Sequence, residues 1–146
     1  KNIASVGSTL SIASLGAGRL ALRRQTGLSG EPINVVPMFL IVPPELETAG
    51  EQILAEISAN AIDDVNPFSG KLTLIVDAHL KSPTRWYLSA RPGQPDGLQH
   101  AYLEGVKGPQ FFTQEGFQTD GMQFKVRLDF GAGFVDHRAW YMNPGE

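Results

Sequence analysis

Gly121-Met122-Gln123-Phe124-Lys125-Val126-Arg127-Leu128-Asp129-Phe130 alternates apolar and polar residues without a break. Side chains on a strand point to opposite faces with a period of two, so Met122, Phe124, Val126, Leu128 and Phe130 share one face. Gln123, Lys125, Arg127 and Asp129 share the other. Read as one strand, the stretch spans roughly 33 Å, well beyond the usual strand length. Such a strand is expected to cross most of the molecule as scaffolding. Gly131-Ala132-Gly133 leads on into a second extended stretch.

Working back from this run, short strands are expected at Leu72 to Val76, Arg85 to Ala90, Leu98 to Leu103 and Gln110 to Gln114, with Pro92-Gly93-Gln94-Pro95-Asp96-Gly97 as a turn-rich loop. Ala61 to Gly70 reads as a polar loop punctuated by Asn66-Pro67. Before it, Pro44 suits a helix start and Glu45, Glu47 and Glu51 place negative charge toward the positive helix end. Leu46, Ala49, Ile53, Leu54 and Ile57 then supply an apolar stripe, so this helix is expected to last to about Asn60. Pro32 to Pro43 reads as a buried strand in which Pro37 marks a bend or an edge. From about Ser8 to Gln25, Leu10, Ala13, Ala17, Leu20 and Ala21 recur at helical spacing. Arg23 and Arg24 sit favourably at that helix's negative end, and Gly27 is placed to terminate it.

Composition agrees with one packed domain. The chain has 146 residues, 42% of them hydrophobic and 18% charged, which supports a core and argues against wholesale disorder. Its net charge of −3 is spread evenly, with five Lys+Arg and seven Asp+Glu in residues 1–73 and seven and eight in residues 74–146. Neither half is a basic tail, so no specific nucleic-acid site is expected. No cysteine is present, which excludes disulfides and cysteine-based metal sites. Val35 to Pro43, the longest apolar stretch, is about half of what a membrane span needs, so no membrane partner is expected. The sequence opens on Lys1-Asn2-Ile3 without an initiator Met or a signal-like segment, and the intact polypeptide is expected to be longer.

Several constellations invite a chemical reading. Gly16-Ala17-Gly18-Arg19-Leu20-Ala21 fits a loose dinucleotide fingerprint, but that motif needs a preceding strand and an acid about 20 positions on. Leu10 to Leu15 is helical in pattern and position 41 is Ile, so close packing of small residues is the better reading. His79, His100 and His137 lie about 20 and about 37 positions apart, without the short spacing that builds a metal face. No Ser occupies a G-x-S-x-G elbow. Asp63-Asp64 points its carboxylates apart and reads as loop solvation or capping. Phe111, Phe112, Phe117, Trp86 and Tyr87 concentrate aromatic surface, most of it expected in the core. Phe111-Phe112 is followed by Thr113-Gln114-Glu115 rather than by cations, unlike a single-strand binding platform. Asp136 and Arg138, if extended, share a face with Phe134 and Trp140, as a satisfied structural pair or an intersubunit contact.

Asp120 to Gly131, followed by Asp136-His137-Arg138-Ala139-Trp140-Tyr141-Met142-Asn143-Pro144-Gly145, resembles the carboxy-terminal end of phage and prophage major capsid proteins. These are the Mu-type head subunits, including those encoded as a fusion behind a ClpP-like prohead protease. Arg19 to Gly27, Asn34 to Leu46 with its Leu40-Ile41-Val42-Pro43-Pro44 core, Trp86-Tyr87-Leu88, Ala101 to Gly105 and Gly108-Pro109 are similar to the same family in the same order. The resemblance covers almost the whole chain, and order and spacing carry it.

The resemblance implies an α+β fold of the HK97 capsid type, with two helices on a mainly antiparallel sheet and a long C-terminal strand. Residues 1–120 would form an A-domain-like core with its flanking helix, and residues 121–146 a strand returning to a P-domain-like element. The amino-terminal arm, extended loop and spine helix of the family are absent from this sequence. The implied function is a structural subunit of an icosahedral head, in pentamers and hexamers around viral DNA, and not an enzyme. Its partners would be other copies of itself and, during assembly in the bacterial host cytoplasm, scaffold and prohead protease; the mature location would be the virion. No cofactor, metal or catalytic residue is expected. Phe111, Phe112, Asp136, Arg138 and Trp140 are the candidate subunit-contact residues. The competing expectation is a small hydrolase or lyase with a pocket using His100 or His137, and a third is a peptide-binding module using a sheet edge.

Overall fold

The computed structural model describes residues 2–55, 68, 70–116 and 120–146. Ile57, Asp63, Asp64, Asn66 and Phe117 lie outside these, and with them the expected loop pair and the expected stretch of the second helix from 56 to 60. Two compact units are present: Lys1–Gly97 with Asp136–Glu146, and Leu98–Val135.

In the first unit, α1 (Ile12–Arg23) begins at Ser11, whose Oγ accepts from the Ser14 N–H while the Ser14 Oγ accepts from the Ser11 N–H. This reciprocal cap satisfies two donors that the first helical turn leaves without partners. The buried face is Ser14, Leu15, Gly18 and Leu22; of the expected Leu10, Ala13, Ala17, Leu20 and Ala21, Leu10 and Ala21 pack partly buried against that core. Leu20 and Ala17 are exposed. Away from Arg19 and Arg23 the helix is mostly Ala, Gly and Leu, so bulk and shape choose its buried face: Leu15 and Leu22 fill the core, and Gly18 permits close approach. A Cβ at Gly18 would meet Leu88 Cδ1 at 2.8 Å and the Tyr141 ring at 2.9 Å.

β1 (Pro37–Val42) starts at Pro37, shorter than expected. Although β1 is a central strand, its proline occupies the first position, where a missing donor is tolerated; the pairing with the strand at Trp86–Ala90 is irregular between Pro37 and Phe39. Pro44–Leu46 forms a 3₁₀ turn with Pro44 at its start, followed by α2 (Glu47–Leu54). That helix ends at Leu54, where Ala55 turns extended with ψ 139°. No local sequence signal marks the exit.

With β2 (Thr73–Val76), β3 (Trp86–Ala90) and β8 (Trp140–Asn143), β1 forms one sheet in the order β2-β1-β3-β8. β1 and β2 are parallel, whereas β1/β3 and β3/β8 are antiparallel. The parallel pair requires a crossover, and α2 lies within it. Leu74, Leu40, Leu88 and Tyr141 stand in one row across the four strands. Gly18 of α1 abuts Leu88 and Tyr141, and Gly50 of α2 abuts Leu74, so both helices cover the same face. Between them and the sheet lie Leu15, Leu22, Leu40, Val42, Phe68, Trp86, Leu88 and Tyr141. Trp86 is fully buried and its indole N–H donates to the Ser8 carbonyl at 3.3 Å.

The second unit holds two antiparallel ribbons. β4 (Leu98–Tyr102) pairs with β7 (Phe130–Phe134), and β5 (Gln110–Glu115) pairs with β6 (Met122–Arg127). The alternating run that opened the sequence is therefore two strands with different partners, not one long strand. At the break, Arg127 Nε meets Asp129 Oδ2 at 2.8 Å.

Candidate subunit-contact surfaces

Register decides which side chains of the second unit share a face. Phe111 stands opposite Val126, Thr113 opposite Phe124 and Glu115 opposite Met122. One face of the β5–β6 ribbon thus carries Phe111, Phe124, Val126 and Met122, and Phe111 and Phe124 are each 76% exposed. A fully exposed aromatic offers about 150–250 Å², so these two rings alone present on the order of 300 Å². That already matches the largest apolar patch of a typical monomer. Phe112 lies on the opposite, polar face with the Lys125 ammonium over its ring, 5.7 Å from the centroid.

The β4–β7 ribbon repeats the pattern. Leu98 faces Phe134, His100 faces Ala132 and Tyr102 faces Phe130. His100, Tyr102 and Phe130 form a ring cluster with centroids 5.5 to 5.9 Å apart, and Tyr102 and Phe130 remain exposed. Sequence reasoning missed this cluster. The signal was the shared apolar alternation of Leu98, His100, Tyr102 and of Phe130, Phe134, which only a pairing register unites.

Asp136, Arg138 and Trp140 belong to the first unit. The stretch after Asp136 is not extended: His137–Ala139 forms a 3₁₀ turn with Asp136 at its start. Asp136 Oδ1 accepts from the Arg138 N–H at 2.8 Å, and Oδ2 accepts from Arg138 Nη1 at 3.0 Å. The Arg138 backbone N–H first, and then its guanidinium and the nearby His137 ring, hold the Asp136 carboxyl below its ordinary value against the opposing effect of burial. The pair is therefore satisfied within the chain. Trp140 is half-buried and packs edge-on to Tyr87, with centroids 6.4 Å apart at 75°.

The chemical alternatives find little support in geometry. Gly16 and Gly18 lie inside α1, not at a strand-to-helix turn, and Gly18 serves packing. His100 sits among rings and small residues, beside shallow grooves of about 310 and 400 Å³ that no carboxylate lines among the described residues. His79 pairs with Asp77 at 3.0 Å on the exposed surface, and the His79 backbone N–H is the main reason the Asp77 carboxyl is lowered. Among the described residues no three His, Asp or Glu side chains gather as a metal site. No helix among them is long and apolar enough to cross a membrane.

A family model described as phage capsid protein matches residues 1–143. The chain belongs to the phage capsid protein family. A comparison with curated proteins gave no match. Among solved structures, the cryo-EM structure of the holo-SrpI encapsulin complex from Synechococcus elongatus PCC 7942 is similar, with a TM-score of 0.55 and 12% identity. The likeness covers 99% of this chain and 52% of the encapsulin chain, so this phage capsid family member spans about half the length of that relative. The shared fold is the HK97-type shell fold, here as a portion of it, and the family is structural, a class of shell subunits.

Proposed function

We propose that the chain is part of a subunit of an icosahedral phage or prophage head, arranged in rings of five and six around viral DNA. The observation that carries this reading is the row of solvent-facing apolar side chains on each ribbon of Leu98–Val135. A two-stranded ribbon alone is marginally stable in water, and an uncovered aromatic face marks an interaction surface. Heterologous contacts between identical copies cover such faces and close into rings. Phe111 is the leading contact residue, with Phe112 and Trp140 at the margins; Asp136 and Arg138 contribute by shaping the turn that starts β8.

On this reading the helix-covered sheet is the A-domain-like core. Residues 121–146 return from that core to the P-domain-like element. Scaffold and prohead protease act on the protein during assembly in the bacterial host cytoplasm, and the mature location is the virion. Electron microscopy of the full polypeptide produced in bacteria, with an assay for nuclease-protected DNA, tests the proposal. Rings or closed shells with protected DNA support it; shells without DNA remove the genome-enclosing role, and particles of monomer size remove the shell role.

A further inference from the structure

Arg19 and Arg23 stand four residues apart on α1 and so occupy one helix face. The Arg19 guanidinium lies over the Phe68 ring, 4.6 Å from its centroid, and Arg23 Nη1 donates to Asn34 Oδ1 at 2.8 Å. Both cations are held in place by neutral groups. Asn34 has a φ of 50°, the one left-handed non-glycine residue among those described, a conformation that costs energy and persists where the surroundings enforce it. Lys71 joins them through a turn in which its N–H donates to the Phe68 carbonyl at 3.1 Å. Together with Val36, Pro37, Phe68 and Leu72 they line a cleft of about 390 Å³. Among the described residues no carboxylate lines this cleft, and none of the three cations is in an ion pair.

The opposite sign is displayed elsewhere on the same unit. Glu45, Glu47 and Glu51 are exposed on the 3₁₀ turn and α2, and among the described residues none has a cationic partner. In a chain of net charge −3, three cations around one apolar-lined cleft and three acids on the 3₁₀ turn and α2, neither set ion-paired among the described residues, form complementary surfaces. Placing like surfaces together, as a two-fold contact of either patch would, sets like charges against each other. Joining unlike surfaces pairs opposite charges, and where each copy gives its acids to one neighbour and its cleft to another the contact is head-to-tail, the kind that closes into rings.

We propose that Arg19, Arg23 and Lys71 of one copy receive Glu45 and Glu47 of the next copy, with the exposed Pro44 ring against the apolar lining. This rests on the shell-subunit reading and names one of its contacts. Guanidinium groups suit the role because they bind carboxylates through two parallel hydrogen bonds.

The test is charge reversal with rescue in the full polypeptide, read by sedimentation velocity at low and high salt. R19E/R23E and E45R/E47R are each expected to weaken self-association at least tenfold, and the quadruple variant, with both signs exchanged, to restore it. Thermal melts matching the unsubstituted protein show that each variant is folded. Association unaffected by either reversal, or a folded quadruple variant that stays dissociated, overturns the inference while leaving the shell reading intact. Loss of binding to a short DNA duplex by R19E/R23E, with association unchanged, also overturns it and makes the cleft a polyanion site. A protein monomeric at every concentration and salt overturns the shell reading and this contact with it.

Discussion

The Asn143 side chain clasps Ser8 across 135 positions of sequence: its Oδ1 accepts from the Ser8 N–H at 3.0 Å, and its Nδ2 donates to the Ser8 Oγ at 2.9 Å. The same Oδ1 also accepts from the Gly145 N–H at 2.9 Å, and Asn143 is only 2% exposed. Nearby, Ala4 donates to the Met142 carbonyl and Met142 to the Asn2 carbonyl, so the amino-terminal segment lies along the outer edge of β8. This contact partly covers a sheet edge that would otherwise present unpaired backbone groups.

Replacing Asn143 with Leu leaves the Ser8 and Gly145 N–H groups without their acceptor. Each buried unsatisfied group costs about 1–3 kcal/mol, so N143L is expected to lose about 2–4 kcal/mol in urea unfolding. A loss below about 0.5 kcal/mol, within ordinary surface effects, would show that the clasp is incidental.

Two glycines of α1 offer an internal contrast. A methyl group added at Gly16 would have nothing within 4 Å, whereas one at Gly18 would meet Leu88 and Tyr141 under 3 Å. G16A is expected to stabilise by up to about 1 kcal/mol through helix propensity. G18A is expected to destabilise by about 1–3 kcal/mol through overpacking. Equal effects of the two substitutions in thermal unfolding contradict the close helix-to-sheet packing.

Asp136 gives a pH signature. Its carboxyl is lowered from 3.8 in the folded protein, so the unfolded chain binds its proton first as pH falls. The stabilisation is fully present above that ordinary value and is lost as pH drops through the lower, folded value. The gap in stability between wild type and D136N is therefore expected to be constant near neutrality and to shrink below about pH 4. A gap independent of pH down to acid unfolding refutes the assignment.

Phe111 and Phe124 carry the apolar face of the β5–β6 ribbon. Because both rings are already in solvent within one chain, F111S/F124S is expected to change unfolding free energy by less than about 0.5 kcal/mol. The same double variant is expected to weaken self-association more than tenfold. A large stability loss without any change in association places these rings in the core instead.

Several elements were legible in the sequence for identifiable reasons. Leu40-Ile41-Val42 followed by Pro44-Glu45 marks a buried strand running into a helix start, because apolar continuity and proline at a first turn each have one dominant reading. The two faces of β6 followed from period two. Their partners did not, since alternation fixes the face of a strand and says nothing about which strand lies beside it; hence the break between β6 and β7, and the parallel pairing of β1 with β2, were hidden. The buried face of α1 was read only in part, with Leu10 and Ala21 at its margin and Leu15 and Leu22 missed, because Ala and Gly carry too little contrast for periodicity to select among faces. Asn143 was invisible as a core residue, since a polar side chain is buried only when distant groups satisfy it. Of the five candidate contact residues, Phe111 is fully displayed, Phe112 and Trp140 are partly so, and Asp136 and Arg138 satisfy each other.

Native mass spectrometry of the full polypeptide over a concentration series tests the central claim most directly. Self-tiling predicts species at five and six times the subunit mass that grow with concentration and recede in the F111S/F124S variant. A folded protein that remains a single subunit throughout the series contradicts the account.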